Sequence, residues 1–383
     1  MAKNILIILC GLIIGFSAVF FTVKKAPNLP IYPSLGITGH EVIGFLPYWL
    51  LDKADKNYRQ YLTNLTYFGL TVGADGKIIK LTNPAEEDPG WYTLRTGKSD
   101  RFFNDAKKNG LQLSLLVFSS NEDDISQLIA DPVSHADNLI NDINPLMKQY
   151  GFTDLNLDIE STRQASAEAR MNFTAFAKEI KKKLETGGLG TLTVDASPIV
   201  LIKPYLINLN GIGKIADRIV LMTYDYHYPG SYVTGPVAPV GGGGIDAEYD
   251  SQTAVAEALK IMPPDKIILG VPLYGYEWET IGDTGRSAVI PGTGLTASSR
   301  RISDFIDKCA TCSIQLDSYA QEHYLIYKDE DTGTYHQIFY PDAMATAEKV
   351  KLVNDSRIEG IALWALGYED NKILEPLKNY LHP

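Results

Sequence analysis

The sequence predicts an α/β protein: a closed eight-stranded (β/α)8, or TIM, barrel behind an N-terminal apolar segment. Three observations predict it. From Glu41 onward, short β-rich apolar runs alternate with longer stretches of helical periodicity, the pattern of a parallel sheet clothed by helices. Eight such runs spread over about 340 residues suit a closed barrel better than an open doubly wound sheet. No glycine-rich phosphate fingerprint follows the first run, which weakens the dinucleotide-binding alternative.

Composition agrees with a globular enzyme-sized chain. The 383 residues are 45% hydrophobic and 21% charged, which excludes wholesale disorder and a multi-span transporter. Forty-six Asp+Glu against 35 Lys+Arg give a net charge of −11, so a nucleic-acid partner is not expected. Three cysteines rule out a dense disulfide framework.

Taken in order, residues 5–23 form a charge-free apolar run, bracketed by Lys3 and by Lys24 and Lys25. In a helix this run spans about 28 Å, the thickness of a hydrocarbon core. Residues 1–25 are therefore expected to be an uncleaved signal anchor. The alternative is a cleaved signal peptide, for which Phe16-Ser17-Ala18 offers a poor site inside the apolar run. Residues 26–39, with Pro27, Pro30 and Pro33, read as an extended linker. The folded domain is expected over 40–383.

Its strands are expected at Val42–Tyr48, Leu65–Val72, Leu111–Phe118, Asp154–Ile159, Gly190–Ala196, Arg218–Thr223, Lys266–Tyr274 and Gly360–Leu366. Helical segments are expected at Asp100–Asn109, Val133–Tyr150, Ala165–Thr186, Asp250–Ile261 and Pro341–Asn354. Residues 276–340 are too long for a simple crossover and read as a small α+β insertion between strands 7 and 8. That insertion has β-like pieces at Tyr324–Lys328 and Gln337–Tyr340 and a helix near Ser303–Lys308.

The fourth strand carries the most chemistry. Asp154, Asn156, Asp158 and Glu160 alternate with Leu155, Leu157 and Ile159, so a period of two places the polar set on one face. At a barrel mouth, water and substrate can meet them. Two acids as close as Asp158 and Glu160 cannot both ionise freely, so one is expected to hold a proton near neutral pH. An amphipathic edge strand with a solvated acidic face is the plainer reading of the spacing alone. A calcium loop is excluded, because Ile159 and Ala165 occupy the positions where glycine and glutamate are needed.

This stretch resembles the fourth-strand signature of glycoside hydrolase family 18, the chitinase family, written D-G-x-D-x-D-x-E. Asp158 and Glu160 match its last two acids, and Asn156 stands where an Asp is usual. Met222-Thr223-Tyr224-Asp225 resembles the sixth-strand M-x-Y-D, and Gly270–Gly275 resembles the seventh strand. Gly360–Trp364 is similar to the eighth, which ends in a tryptophan. Tyr224–Gly230, Gly235–Pro239 and Leu273–Trp278 resemble the bacterial spore-cortex-lytic and cell-wall branch in particular.

The resemblance implies substrate-assisted hydrolysis of β-1,4 bonds in N-acetylglucosamine-containing glycan, peptidoglycan rather than chitin, with no cofactor and no metal. It implies catalytic roles for Glu160 as general acid, Asp158 as partner of the acetamido N–H and Tyr224 as donor to its carbonyl. Substrate contacts are implied for Asn156, Asp225, Trp364, Met222, Tyr274 and Tyr48. Trp49, Tyr276 and Trp278 are further candidate sugar platforms, and His227 reads as a structural histidine beside the site. Cys309 and Cys312 are candidates for a local disulfide. The expected place is the cell membrane, single-pass, with the barrel outside the cytoplasm, or secretion if the segment is cleaved. The rival function is a catalytically silent sugar-binding barrel, against which the retention of Glu160 speaks.

Overall fold

The computed structural model describes residues 40–244, 249–309 and 312–382. The expected anchor and linker, 1–39, lie outside them. Among the described residues no helix is long and apolar enough to cross a membrane.

Eight parallel strands close into a barrel. They are β1 (Glu41–Pro47), β2 (Asn64–Thr71), β3 (Gln112–Ser119), β4 (Asp154–Ile159), β5 (Thr191–Ala196), β6 (Arg218–Leu221), β7 (Ile267–Pro272) and β8 (Gly360–Trp364). Each pairs with its sequence neighbours, and β8 closes on β1 through Glu41–Gly360 to Gly44–Leu363. These are the runs expected from sequence, displaced by a residue or two at their ends.

Ile43, Phe45, Leu116, Val220, Ile268 and Ala362 fill the barrel interior, and Phe68, Phe118 and Trp364 pack against them. At the lower end Arg218 bridges Glu41 and Asp154. The helix Pro132–Tyr150 shows how the loops are cut to length. Asp131 caps its start by accepting from the Ser134 N–H at 3.1 Å, and Gly151, at φ 76°, ends it in the left-handed region. A glycine there costs no Cβ clash, so the chain turns at once into β4.

Between β7 and β8 stands a five-stranded antiparallel sheet with the helix Ser299–Ile306. Its order is Leu295–Ser298, Tyr274–Thr280, Tyr335–Tyr340, Glu322–Lys328, Ser313–Asp317. Tyr274 thus opens the insertion and is not the last residue of a barrel strand. Cys309 and Cys312 form a disulfide just beyond the helix. Glu322, fully buried, accepts the N–H groups of Val237 and Ala238 at 2.8 Å. Lys349 donates to the Ala238 carbonyl and to Ser251 Oγ. This latch joins the insertion, the loop after β6 and the helix Ala343–Ser356, and so sets the wall of the cleft above the barrel.

Candidate active site

β4 delivers its polar face in layers. Asp154, at the floor, accepts from Thr191 Oγ1 at 2.6 Å and from Thr193 Oγ1 at 3.1 Å. Burial pushes its carboxyl up to about 6. Asn156 is next and donates its amide to Asp195 Oδ1 at 3.0 Å. Asp158 follows, only 5% exposed. Glu160, one residue past the strand, opens onto the cleft. Its N–H donates to the Ser119 carbonyl at 2.8 Å. Glu122, in the first turn of the helix after β3, holds the loop beyond Glu160 by accepting from Ser161 Oγ and the Thr162 N–H at 3.0 and 2.8 Å. The chain is thereby held on both sides of the Glu160 side chain, by a backbone bond before it and by the Glu122 carboxylate after it.

A cavity of about 500 Å³ opens at this end of the barrel. One wall carries Asp158, Glu160, Asp195, Tyr224 and Asp225, and the facing wall carries Tyr48, Trp49, Phe68 and Trp364. Acids and phenols opposite aromatic faces suit a ligand with both hydroxyls and apolar C–H faces, as a pyranose ring has.

The acids perturb one another. Burial first, then the charges of Glu160 and Asp195 and a hydrogen bond with Glu160, raise Asp158 well above the usual carboxylate range. Burial and the Asp225 charge raise Glu160, while the hydrogen bond from Asp158 acts the other way. Both carboxyls are thereby raised, so the pair is built to hold a proton where free carboxylates would not. Burial, with these charges behind it, raises Tyr224 well above the usual phenol range, so it stays a neutral donor.

Tyr224 and Asp225 follow β6. Gly270 on β7 lies under the Tyr224 ring, where a Cβ would fall 2.6 Å from the Leu221 carbonyl and 3.0 Å from the ring's Cε1. Asp225 has φ 60°, a conformation that side chains other than glycine rarely adopt. Two insertion tyrosines hold it there. Tyr274 Oη and Tyr276 Oη both donate to its Oδ1, at 2.6 and 2.8 Å. Trp364, at the end of β8, meets Phe68, Phe45 and Trp49 with ring centroids 5.1, 5.8 and 6.4 Å away. These contacts fix the plane of its indole within the cavity.

The Glycosyl hydrolases family 18 pattern matches residues 42–369. The chain belongs to glycosyl hydrolase family 18. It is 27% identical over 328 residues to the cortical fragment-lytic enzyme of Bacillus subtilis, covering 83% of this chain and 67% of that enzyme. In fold it is similar to the Bacillus cereus spore cortex-lytic enzyme SleL, with a TM-score of 0.72 at 22% identity over 92% of this chain and 76% of the other. It is likewise similar to the Ostrinia furnacalis Group IV chitinase, with a TM-score of 0.74 at 21% identity over 89% and 98% of the two chains.

In this family 18 glycosidase, eight of the expected residues line one cavity: Glu160, Asp158, Tyr224, Asp225, Met222, Trp364, Tyr48 and Trp49. Two expected substrate contacts do not line it. Asn156 lies a layer below, turned toward Asp195, and Tyr274 lies behind Asp225, so each touches a cavity residue and not the cavity. The reason is depth for Asn156, two residues further down β4 than Asp158. For Tyr274 it is the insertion sheet, whose core takes up its ring with Tyr276 and Trp278. Tyr276 and Trp278 are buried in that core and do not line the cavity. His227 points to the Pro236 carbonyl at 2.8 Å and is kept neutral by burial, a structural histidine.

Sequence reasoning missed Asp195. The signal was present: Thr191, Thr193 and Asp195 alternate with Leu192, Val194 and Ala196, the same period of two that marked β4. Phe68 and Asp88, also in the lining, carried no such signal.

Proposed function

We propose that this glycosidase cleaves β-1,4 bonds in N-acetylglucosamine-containing glycan, with peptidoglycan preferred to chitin, and that the substrate's own acetamido group is the nucleophile. The single observation behind it is the Asp158–Glu160 pair, two neighbouring carboxyls both raised by burial and nearby charge, in a cavity that aromatic rings also line. Such a pair supplies a proton donor and an amide acceptor, which is what substrate assistance asks of a protein.

In the proposed cycle Glu160 protonates the leaving oxygen. The acetamido N–H docks on Asp158, which turns the acetamido carbonyl oxygen toward the anomeric carbon. Tyr224 donates to that oxygen and Asp225 holds a sugar hydroxyl, while Trp364 lies beneath the ring. Glu160, now anionic, then takes a proton from water, which opens the cyclic intermediate with retention. The preference for peptidoglycan draws on the likeness to a cortical fragment-lytic enzyme. The apolar run over 5–23, as a membrane anchor with the barrel outside, would keep the enzyme near a cell wall.

Side-by-side digestion of purified peptidoglycan glycan strands and colloidal chitin, with mass analysis of the new reducing ends, tests the substrate. Glu160→Gln should lower kcat by about 10²–10⁴ while oligosaccharide binding persists. A thiazoline analogue of the cyclised sugar should inhibit. Equal rates for wild type and variant would refute the assignment of Glu160, and binding without turnover by both would point to a lectin.

A further inference from the structure

β4 has an amide where its family signature has an acid, yet the cavity is not short of carboxyls. Asp195 reaches it from β5, 3% exposed. The β4–β5 register pairs Asn156 with Thr193 and Leu157 with Val194. Continued by one residue it sets Asp158 beside Asp195, with backbones about 4.8 Å apart. The Asn156 amide, 39 residues away in sequence, donates to Asp195 Oδ1. Asn156 Oδ1 and Asp158 Oδ1 are both buried without a hydrogen-bond partner among the described residues. An arrangement made only to hold strands together would not leave two acceptors open, because each costs free energy.

We propose that Asp195 is a positioning residue for the reaction: standing in for the acid that β4 lacks, its carboxylate keeps one proton within the Asp158–Glu160 pair. This rests on the reading of that pair given above. Burial, and after it the charges of Glu160 and Asp154, raise the Asp195 carboxyl, and the Asn156 N–H that donates to it acts the other way and favours its anion. With Asp195 negative, full ionisation of the pair would crowd three carboxylates into one buried site, and the pair keeps its proton instead. When an acetamido N–H arrives at the open Asp158 Oδ1, the O–H bond of Asp158 breaks and one forms on Glu160. That bond breaks in turn as Glu160 protonates the glycosidic oxygen. The electron pair of the C1–O bond leaves with that oxygen, and the acetamido oxygen bonds to C1. Asp195 keeps its charge throughout.

The titratable groups acting on Asp158 are Glu160, just past its own strand, and Asp195 on β5; Tyr224 after β6 feels Asp158, and Asp225 acts on Glu160. Asp195 also feels Asp154, whose own cation is Arg218 at the barrel floor. No cation reaches the Asp158–Asp195 contact among the described residues' ion pairs.

The test is the pH dependence of kcat/KM on an N-acetylglucosamine oligosaccharide for wild type, Asp195→Asn and the exchange Asn156→Asp/Asp195→Asn. Removing the Asp195 charge should lower the alkaline limb by about two pH units, the effect of one charge some 5 Å away in a protein-like dielectric. The exchange variant returns the charge to the cluster with donor and acceptor swapped, and should bring the limb back toward wild type. A uniform loss of rate with an unmoved limb would mean a structural role and overturn the inference, as would an exchange variant that stays shifted. A carbon NMR titration of labelled carboxyls reads the same change without turnover. A lowered Asp158 titration in Asp195→Asn supports the inference, and an unchanged one overturns it. An inactive wild type would count against the proposed reaction alone.

Discussion

Asp225 is held in a strained backbone conformation by two hydroxyls from another element, and that makes its support measurable. Replacing Tyr274 and Tyr276 by Phe keeps both rings, which are 3% and 5% exposed and pack with Trp278 and Phe339. Only the two donors at 2.6 and 2.8 Å are lost. A hydrogen bond to a charged acceptor contributes about 1.5–3 kcal/mol. Asp225 opens onto the cleft, where water can replace part of the loss, so the lower figure applies. Each single variant should then lose roughly tenfold in kcat/KM, and the pair about 100-fold at most, with non-additivity because both donors share one oxygen.

The pH profile gives a second reading of the same variants. Burial raises the Asp225 carboxyl, and the two phenols oppose it. Without them the folded carboxyl rises further, so its anion is lost at a higher pH as the solution is acidified. The acid limb of kcat/KM should therefore move upward. The assay is oligosaccharide hydrolysis from pH 4 to 9, conditions on the order of the carboxylate and phenol range, beside a melting curve for each variant. A double variant whose kcat/KM and acid limb superimpose on wild type would refute the role given to Asp225 and its two supports.

The latch beneath the cleft predicts a pH-dependent stability. Glu322, fully buried, has backbone donors already, so Lys349→Met removes only the cation whose charge favours its anion, and should destabilise the fold where Glu322 is ionised. Burial already lifts Glu322 to about 7, with the Lys349 charge opposing it. Losing the cation raises it further, so the deficit by chemical denaturation should be smaller at acid pH and grow as pH rises through neutrality. A deficit that stays constant with pH would count against the action of the Lys349 charge on Glu322. For the N-terminal segment, full-length protein should remain with membranes after carbonate extraction, and deletion of residues 1–25 should release it. Full-length protein found in the soluble fraction would exclude the anchor.

Most of the barrel and half of the site were legible in the sequence because they are written in local periodicity. Alternation of polar and apolar residues is decided within one strand, so Asp158 and Glu160 could be set on one face before any pairing was known. The strand ends that carry Tyr224, Asp225 and Trp364 were legible through their resemblance to family motifs and not through alternation. The insertion was legible as a long α+β connection with a helix and two of its strands, but its antiparallel order was not, since that depends on which edges meet. Tyr274 was assigned to the barrel because an apolar run does not announce where one sheet stops and another begins.

Sequence alone therefore determined the strand count, the direction each acid faces and the family those motifs belong to, all properties of short stretches of chain. Tertiary structure decided the partners. Barrel closure brought Asp195 beside Asp158 and under the Asn156 amide, and the insertion sheet brought two tyrosines, 49 and 51 residues away, onto Asp225. Those contacts cross between elements, and their geometry exists only once the strands have paired and the ring of eight has shut.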